Sequence, residues 1–334
     1  MNARLPLAIL LASWVSALVL PVTVRAKAQS SSMSSPVGGQ TYTEIKGWAA
    51  IRNLGMTTLK RDREEQVILA NKDVKIVFKV DSLRATVNGI AVYLSWPVIL
   101  SNRKYHVSQL DIDAVLDPIL SPRAVSRSKK VLKVALSAGH GGKDPGFQVG
   151  RYLEKNFTLL LANEVQKLIK QAGLQTVQIR SQDVFIDLEE QTVLARRAGA
   201  DLFVNLHFNS AGLNDKKTGG VETYCLPPAG ARSTHGNSAA TKQMLNGNRF
   251  DAQNMLLAYL IQKSLVTRLN LIDRGVRRAR FVVLREIQMP AVLIEAGFMS
   301  QPEEMRQIQS PKHRLETARA IAEGILAYKR VVER

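Results

Sequence analysis

The sequence predicts an α/β fold in which an open, mostly parallel sheet is covered by helices on both faces and is preceded by a small β-rich α+β module. From residue 131 onward, apolar runs of strand length alternate with segments of helical periodicity, which is typical of parallel sheets. Between residues 42 and 117 the apolar runs are short and are separated by turn sequences. With 46% apolar and 22% charged residues, the chain can form a packed core.

Residues 1–28 have the pattern of a secretory signal peptide. A basic start precedes an apolar stretch over 5–24, and Ala26-Lys27-Ala28 offers small residues at the positions that signal peptidase reads. Because the stretch is also about as long as a membrane-spanning helix, an uncleaved anchor is the alternative. A Ser-rich polar segment follows, so we expect cleavage and export to the periplasm or cell wall.

Three segments follow before residue 130. Residues 29–41 are rich in Ser, Gly and Pro and predict a disordered tail. In the module at 42–117, Asn88-Gly89 lies between two β-rich runs and predicts a hairpin. Residues 118–130 contain two prolines, three serines and four basic residues, and we interpret them as a linker.

The region 131–330 is predicted to form the large α/β domain. Its helix at 154–172 has Phe157, Leu161 and Val165 at helical spacing and is ended by Gly173. The other predicted helices cover 188–198, 251–269 and 312–329. Strands are predicted at 131–137, 176–179, 201–209, 221–226, 281–284 and 291–296.

Charge and cysteine content narrow the classes of partner and site. The formal net charge is +18, and most of the excess lies beyond residue 126, which indicates an anionic partner such as a wall polymer or a lipid surface. Nucleic acid is not expected as a partner, because an exported protein does not meet a genome and no nucleic-acid-binding motif is present. The single cysteine, Cys225, excludes an internal disulfide and a Cys-rich metal site.

Four ionisable residues are expected at the carboxyl edge of the sheet, where open α/β sheets bind ligands. His140 follows the first strand in a glycine-rich turn and Glu154 opens the next helix, while His207 and Glu295 lie near the ends of two further strands. Two imidazoles and a carboxylate can hold a catalytic zinc ion, and a second carboxylate can move protons.

Each of these residues also has a structural alternative. Glu154 could simply offset the helix dipole, and His207 could be a hydrogen-bonded core residue. Glu295 is harder to explain in this way, because an unpaired carboxylate at the end of a buried strand is costly. The combination therefore favours a catalytic site more than any single residue does.

At these residues the chain resembles the zinc-dependent N-acetylmuramoyl-L-alanine amidases of the bacterial cell wall, with an amidase type 3 catalytic domain over about 131–330. The similar segments are 138–146 (AGHGGKDPG), 154–156 (EKN), 200–209 (ADLFVNLHFN), 220–224 (GVETY), 273–276 (DRGV) and 290–300 (PAVLIEAGFMS). The resemblance implies that His140, Glu154 and His207 bind one Zn²⁺ ion and that Glu295 is the catalytic acid/base. It also implies the reaction, in which zinc-activated water hydrolyses the amide between N-acetylmuramic acid and L-alanine in peptidoglycan.

The chain departs from the family pattern at three places. Ser137-Ala138 stands where the family usually has Asp-Pro, and Asn205-Leu206-His207-Phe208 stands where it usually has Ser-Ile-His and a small residue. A common arginine of the second helix appears as Gln191. None of these changes removes a predicted ligand, so they bear on fine specificity rather than on the chemistry.

Other functions are weighed against this one. A serine hydrolase needs a G-x-S-x-G elbow after a strand, and residues 236–240 (GNSAA) follow no predicted strand. A zinc peptidase acting on stem peptides and a catalytically inactive wall-binding or activator protein are the alternatives that we keep. The sequence does not indicate whether an activator protein is needed.

The module at 42–117 faintly resembles the small domains named after copper amine oxidases. The likeness rests on residues 87–90 (VNGI) and 102–105 (NRKY), and it implies no copper here because His106 is the only histidine of the module. Binding of wall glycan and a role as a spacer are both open for this module.

Overall fold

An eleven-stranded mixed sheet runs through the described chain. The computed structural model describes residues 34–37, 39–62, 64–125, 130–236 and 239–333. Its N-terminal strands are β1 (Ser34–Val37), β2 (Gln40–Glu44), β3 (Gly55–Arg61), β4 (Glu64–Ala70), β5 (Lys75–Lys79), β6 (Arg84–Val87), β7 (Ile90–Tyr93), β8 (Ile99–Ser101) and β9 (Lys104–Ser108). The later strands are β10 (Lys133–Ala138), β11 (Gln148–Val149), β12 (Tyr152–Leu153), β13 (Gln175–Gln178), β14 (Leu202–Asn209), β15 (Val221–Cys225), β16 (Asp273–Arg278) and β17 (Ala291–Phe298).

Helices cover both faces of the C-terminal part of this sheet. The helices of the described chain are α1 (Ile45–Ile51), α2 (Gln109–Asp111), α3 (Asp117–Leu120), α4 (Pro122–Val125), α5 (Glu154–Gln171), α6 (Leu188–Arg197), α7 (Asp251–Leu269), α8 (Val282–Arg285), α9 (Pro302–Gln309) and α10 (Pro311–Val332), with a π-helical turn at Ile112–Leu116 and a 3₁₀ turn at Asn246–Phe250. Strand β10 shows the two faces: Val134 and Leu136 join the core under α5, α7 and α10, while Ala135 joins the core that includes residues of α6 and α8.

The C-terminal strands have the predicted architecture. They lie in the order β13-β10-β14-β17-β15-β16, and every neighbouring pair is parallel except β17 and β15, which are antiparallel. The mostly parallel sheet covered on both faces is therefore confirmed. The carboxyl ends of β10, β14 and β17 lie together at one edge of this sheet.

The N-terminal module is β-rich, as predicted, and its strands continue the same sheet. Strand β7 pairs in parallel with β16 through Val92 and Val276, and β7-β6-β5-β4-β3 then form an antiparallel meander. The predicted hairpin joins β6 to β7, and both of its turn residues, Asn88 and Gly89, have positive φ (49° and 83°). Such a two-residue turn matches the twist of the strands that it connects.

Buried hydrogen bonds tie the module to the C-terminal region. An oxygen of the Asp273 carboxylate accepts the Ala91 amide at 2.7 Å, and the Tyr259 hydroxyl donates to the Val87 carbonyl at 3.0 Å. Strand β16 also passes very close to β7, because a Cβ built on Gly275 would lie 2.9 Å from the Ala91 carbonyl oxygen. The two regions therefore share one continuous sheet and one hydrophobic core.

One predicted strand is wrong, and several elements, among them β16 and α9, were not predicted. Residues 281–284 begin a helical turn, α8, because a four-residue apolar run has no periodicity that distinguishes helix from strand. Strand β16 was missed because its residues, DRGVRR, are mostly charged. Helix α9 was also missed, although Pro302 at its first position is a common helix start.

The N-terminal tail and the linker differ from expectation where they are described. Ser34–Val37, placed in a disordered tail, form strand β1 and pair with β2. The linker at 118–130 contains helix α4 and most of α3, and its residues 126–129 lie outside the described chain. The predicted signal peptide at 1–28 also lies outside the described residues. Within the described ranges, no helix is both long and apolar enough to cross a membrane.

Candidate metal centre

Three of the predicted site residues meet at the carboxyl edge of the sheet. His140 follows β10, Glu154 begins α5, and His207 lies in β14. One donor atom from each can be chosen so that all three atoms lie within 4.8 Å of one another. The Glu154 carboxylate lies between the rings, with Oε2 at 3.1 Å from His140 Nε2 and Oε1 at 3.0 Å from His207 Nδ1.

The Glu154 carboxylate is buried and held as an anion. Its oxygens accept the backbone amides of Phe147 and Phe208 at 3.0 and 3.1 Å. Burial alone would raise the pKa of Glu154, but hydrogen bonds with His140 and His207 outweigh it and hold the pKa well below its ordinary value. An ionised carboxylate facing two imidazoles is a donor set that suits a divalent metal.

Glycines allow these groups to approach so closely. A Cβ on Gly139 would lie 2.3 Å from the His207 ring, and a Cβ on Gly146 would lie 2.7 Å from Oε2 of Glu154. His140 itself has a positive φ of 62°, which is uncommon for a residue with a side chain. The backbone is therefore shaped around the three side chains.

Asp144 orients His140 and was not assigned a role from the sequence. Its Oδ2 lies 2.7 Å from His140 Nδ1, the ring nitrogen that faces away from Glu154. Burial would lower the pKa of His140, but hydrogen bonds and charge from Glu154 and Asp144 raise it above its ordinary value. A carboxylate on the outer nitrogen of a metal-binding histidine fixes the ring and increases its basicity. In the sequence, the position of Asp144 four residues after His140 could have indicated this contact.

Glu295 lies beside the cluster on β17. Its backbone is in register with His207 on one side and with Glu222 on the other. Its Oε2 atom is buried and has no hydrogen-bond partner among the residues that the structure describes. Burial, with the negative charges of Glu154 and Glu222, raises the pKa of Glu295 well above its ordinary value. This carboxyl group therefore keeps its proton to a higher pH than an exposed glutamic acid does.

Glu222 is a buried carboxylate next to Glu295, and its pKa is shifted in the opposite direction. No role was assigned to it from the sequence. It accepts from Asn209 Nδ2 at 2.6 Å, the Tyr224 hydroxyl at 2.7 Å, Arg277 Nη1 at 2.9 Å and Arg274 Nε at 3.1 Å. Burial would raise its pKa, but the bonds and charges of Arg277 dominate and lower it. Neighbouring carboxyl groups with pKa values shifted apart are typical of acid/base sites.

Two of the departures from the family pattern contact each other beneath the site. The Ser137 hydroxyl donates to Gln191 Oε1 at 2.7 Å, and Gln191 Nε2 donates to the Ile186 carbonyl at 3.1 Å. Both residues are buried. A neutral hydrogen-bonded pair therefore occupies the two positions where the resemblance led us to expect Asp and Arg.

Together, this fold and this site define an α/β protein with the side chains of a metal-dependent hydrolase. The comparison with protein families agrees: the model of the N-acetylmuramoyl-L-alanine amidases of type 3 matches residues 134–327. The chain belongs to this family.

Named relatives support the same assignment. Amidase AmiA of Escherichia coli is 31% identical over 220 residues, which cover 58% of this chain and 75% of that protein. The catalytic domain of amidase CwlV from Bacillus (Paenibacillus) polymyxa var. colistinus is 32% identical, with a TM-score of 0.50, over 60% of this chain and 99% of that chain. Amidase AmiC2 of Nostoc punctiforme is 31% identical, with a TM-score of 0.50, over 61% of this chain and 99% of that chain.

These findings establish the activity at the level of the family. The protein is an N-acetylmuramoyl-L-alanine amidase, a hydrolase that acts on peptidoglycan. The predicted family, fold class and enzyme class are thereby confirmed. A group of residues that could bind a metal is present, while the ion and the role of each residue stay predictions.

Proposed function

We propose that His140, Glu154 and His207 hold one Zn²⁺ ion and that Glu295 is the acid/base of amide hydrolysis. The observation that carries this proposal is the pairing of two differently held carboxylates. Glu154 faces both imidazoles and is ionised, while Glu295, in register with His207 on the neighbouring strand, keeps a buried oxygen without a partner in the described part of the chain. Zinc in such a site lowers the pKa of a bound water toward ~7 and polarises a carbonyl oxygen.

The residues of the chain account for the proton movements. Water oxygen adds to the lactyl carbonyl carbon of N-acetylmuramic acid, and the bond to the L-alanine nitrogen breaks. Of the two protons of the water, one replaces the proton that Glu295 gives to the nitrogen, and the other is lost when the lactyl carboxylic acid ionises. The nitrogen leaves only when protonated, and the raised pKa of Glu295 lets this side chain hold a proton that it can donate to the nitrogen. The products are a lactyl carboxylate and a free amine. Asp144 holds the His140 ring in one orientation throughout.

Digestion of purified wall tests this reaction against the peptidase alternative. Free glycan with intact stem peptides identifies an amidase, whereas shortened stems identify a peptidase. Zinc-loaded protein should release the intact stems, a chelator should abolish release, and added zinc should restore it. Release that persists after complete metal removal would contradict the zinc proposal. No release under any metal condition would favour the inactive wall-binding alternative.

We infer from the sequence that the protein is exported after cleavage behind Ala28. The support is the signal-like pattern of residues 1–28 and the cell-wall substrate of the family. Sequencing the N-terminus of protein recovered from the cell envelope should find Gln29. An N-terminus at Met1 would favour the membrane-anchor alternative instead. We expect the region beyond residue 126, which carries most of the excess positive charge, to contact anionic wall polymers or lipid headgroups. Binding measurements with lipid vesicles and with isolated wall polymers can distinguish these two partners.

We propose that residues 131–330 form the catalytic domain and that the 42–117 module supports it. All four proposed site residues lie beyond residue 131, so a chain starting at 126 should cleave small wall fragments. Truncation also exposes the edge of β16 and removes the Ala91 amide that donates to Asp273 and the Val87 carbonyl that accepts from Tyr259. We therefore expect a lower melting temperature and weaker binding to whole sacculi. A folded but wholly inactive fragment would contradict this division.

A further inference from the structure

Arg180 is buried behind the glycine-rich turn and binds both segments that carry the first two proposed ligands. It follows strand β13, and only 4% of its surface is exposed. Its guanidinium donates to the carbonyls of Ala138 and Gly139, each at 2.9 Å, and these residues directly precede His140. It also donates at 2.8 Å to the carbonyl of Lys155, which directly follows Glu154.

Two further contacts complete the binding of this side chain. The guanidinium reaches Thr158 Oγ1 at 3.1 Å and the Gln182 carbonyl at 3.0 Å. The Thr158 hydroxyl itself donates to the Gly139 carbonyl at 2.8 Å. All of these hydrogen-bond partners are uncharged oxygens. The carbonyl oxygens therefore fix the position of the guanidinium, and the guanidinium in turn holds the segments that carry those carbonyls together.

Asp183, three residues after Arg180, binds the other side of the glycine-rich turn. The Asp183 carboxylate accepts the Gly142 amide at 2.7 Å and the Lys155 ammonium at 2.7 Å. The turn also packs directly on Arg180, since a Cβ on Gly141 would lie 3.1 Å from its Cδ and Nε atoms. Residues 180–183 thus contact the chain on both sides of His140.

We propose that Arg180 is a positioning residue that sets the separation of His140 and Glu154 and thereby the affinity for the metal. This inference rests on the proposed metal centre. A guanidinium presents five donors in a rigid plane, whereas an ammonium presents three on a flexible stem. Arg180→Lys keeps the charge but cannot span carbonyls on both ligand-bearing segments with the same geometry. The variant should therefore fold with a loosened ligand set.

Arg278 offers a matched control. It is also a buried arginine, fully inaccessible to solvent, and it donates to the carbonyls of Leu226 and Ala114 at 3.1 and 3.2 Å. Neither partner adjoins a proposed ligand in the chain. Arg278→Lys should therefore lower stability as a buried substitution does, without changing the metal site.

The experiment compares the full chain with its Arg180→Lys and Arg278→Lys variants. Zinc affinity is measured by competition with a chromophoric chelator, and unfolding is measured on the metal-free proteins. We expect Arg180→Lys to weaken zinc binding about 10–100-fold, the usual effect of losing an outer partner of a metal site. On a soluble muramyl-peptide at saturating zinc, its kcat should fall while KM stays close to that of the wild type. Arg278→Lys should bind zinc as the wild type does.

Two outcomes overturn the inference: zinc affinity unchanged in Arg180→Lys, or the same loss of affinity in both variants, which would indicate a general effect of stability. If Arg180→Lys does not fold, Thr158→Val removes one hydroxyl of the same contact and should weaken zinc binding by a smaller factor. Unchanged affinity there would overturn the inference. A wild-type chain that binds no zinc would instead contradict the proposed metal centre.

Discussion

Each of the two regions of the molecule holds a carboxyl group with a buried oxygen, and the surroundings of the two groups are opposite. In the module, Asp111 is inaccessible to solvent and accepts from the Ser95 amide at 2.6 Å, the Trp96 amide at 3.0 Å and the Ser108 hydroxyl at 2.6 Å. In the C-terminal region, Glu295 has a buried oxygen that accepts from nothing in the described chain.

The difference distinguishes a carboxylate with a structural role from the one that we propose to react. Burial raises the pKa of both groups, but at Asp111 hydrogen bonds from Ser108, Ser95 and Trp96 act against it. Those donors use the acceptor capacity of Asp111 to connect β7, β9 and α2. Glu295 keeps its capacity free for a group that arrives from outside, which is what an acid/base requires.

The largest expected effect comes from replacing a histidine of the C-terminal region, with a histidine of the module replaced for comparison. His207→Ala should lose zinc and amidase activity together, because one imidazole and one carboxylate make a weak site. His106→Ala, in the module, is the matched control and should keep both. Zinc content by atomic absorption and the rate on a muramyl-peptide are the two measurements. Full zinc content in His207→Ala would show that the metal lies elsewhere.

The next effect concerns stability and belongs to the module. Asp111→Ala leaves two buried amides and a hydroxyl without an acceptor, so the free energy of unfolding should fall by about 2–4 kcal/mol. The kcat of the molecules that remain folded should not change. Denaturant titration and active-site-normalised kinetics test this pair of statements. If kcat is lowered although all molecules are folded, Asp111 affects catalysis, which would contradict the contrast with Glu295.

A smaller effect is expected where the chain departs from the family beneath the metal site. Ser137→Asp alone buries an unpaired carboxylate, and Gln191→Arg alone buries an unpaired guanidinium, so each should be destabilising. The double variant should recover part of the loss, with a coupling energy of about 1–3 kcal/mol in a double-mutant cycle. Additive losses would show that the hydrogen bond of Ser137 with Gln191 is not a replacement for an ion pair.

Sequence patterns predicted the parts of the fold that are set by local periodicity. Helix α5 was predicted from the spacing of Phe157, Leu161 and Val165, and the hairpin from Asn88-Gly89, because both signals lie within a few residues. The pairing of β7 with β16 could not be predicted in this way, since Val92 and Val276 are far apart in the chain. The strand predicted at 281–284 was wrong because this apolar run is too short to show a period.

The candidate site shows the same limit. His140, Glu154, His207 and Glu295 were found because their residue types and motifs are distinctive. Arg180 and Glu222 were not singled out, because their importance depends on which carbonyls and cations surround them, and that is known only from the folded chain.

The central claim is that Glu295 carries a proton rather than a metal or a structural contact, and Glu295→Gln tests it most directly. Zinc content and turnover of a muramyl-peptide are measured on the same preparation. The account predicts full zinc, an unfolding free energy no lower than that of the wild type, and turnover reduced by roughly 10²–10⁴-fold. Full zinc with a wild-type rate would contradict the catalytic role, and lost zinc would make Glu295 a metal ligand instead.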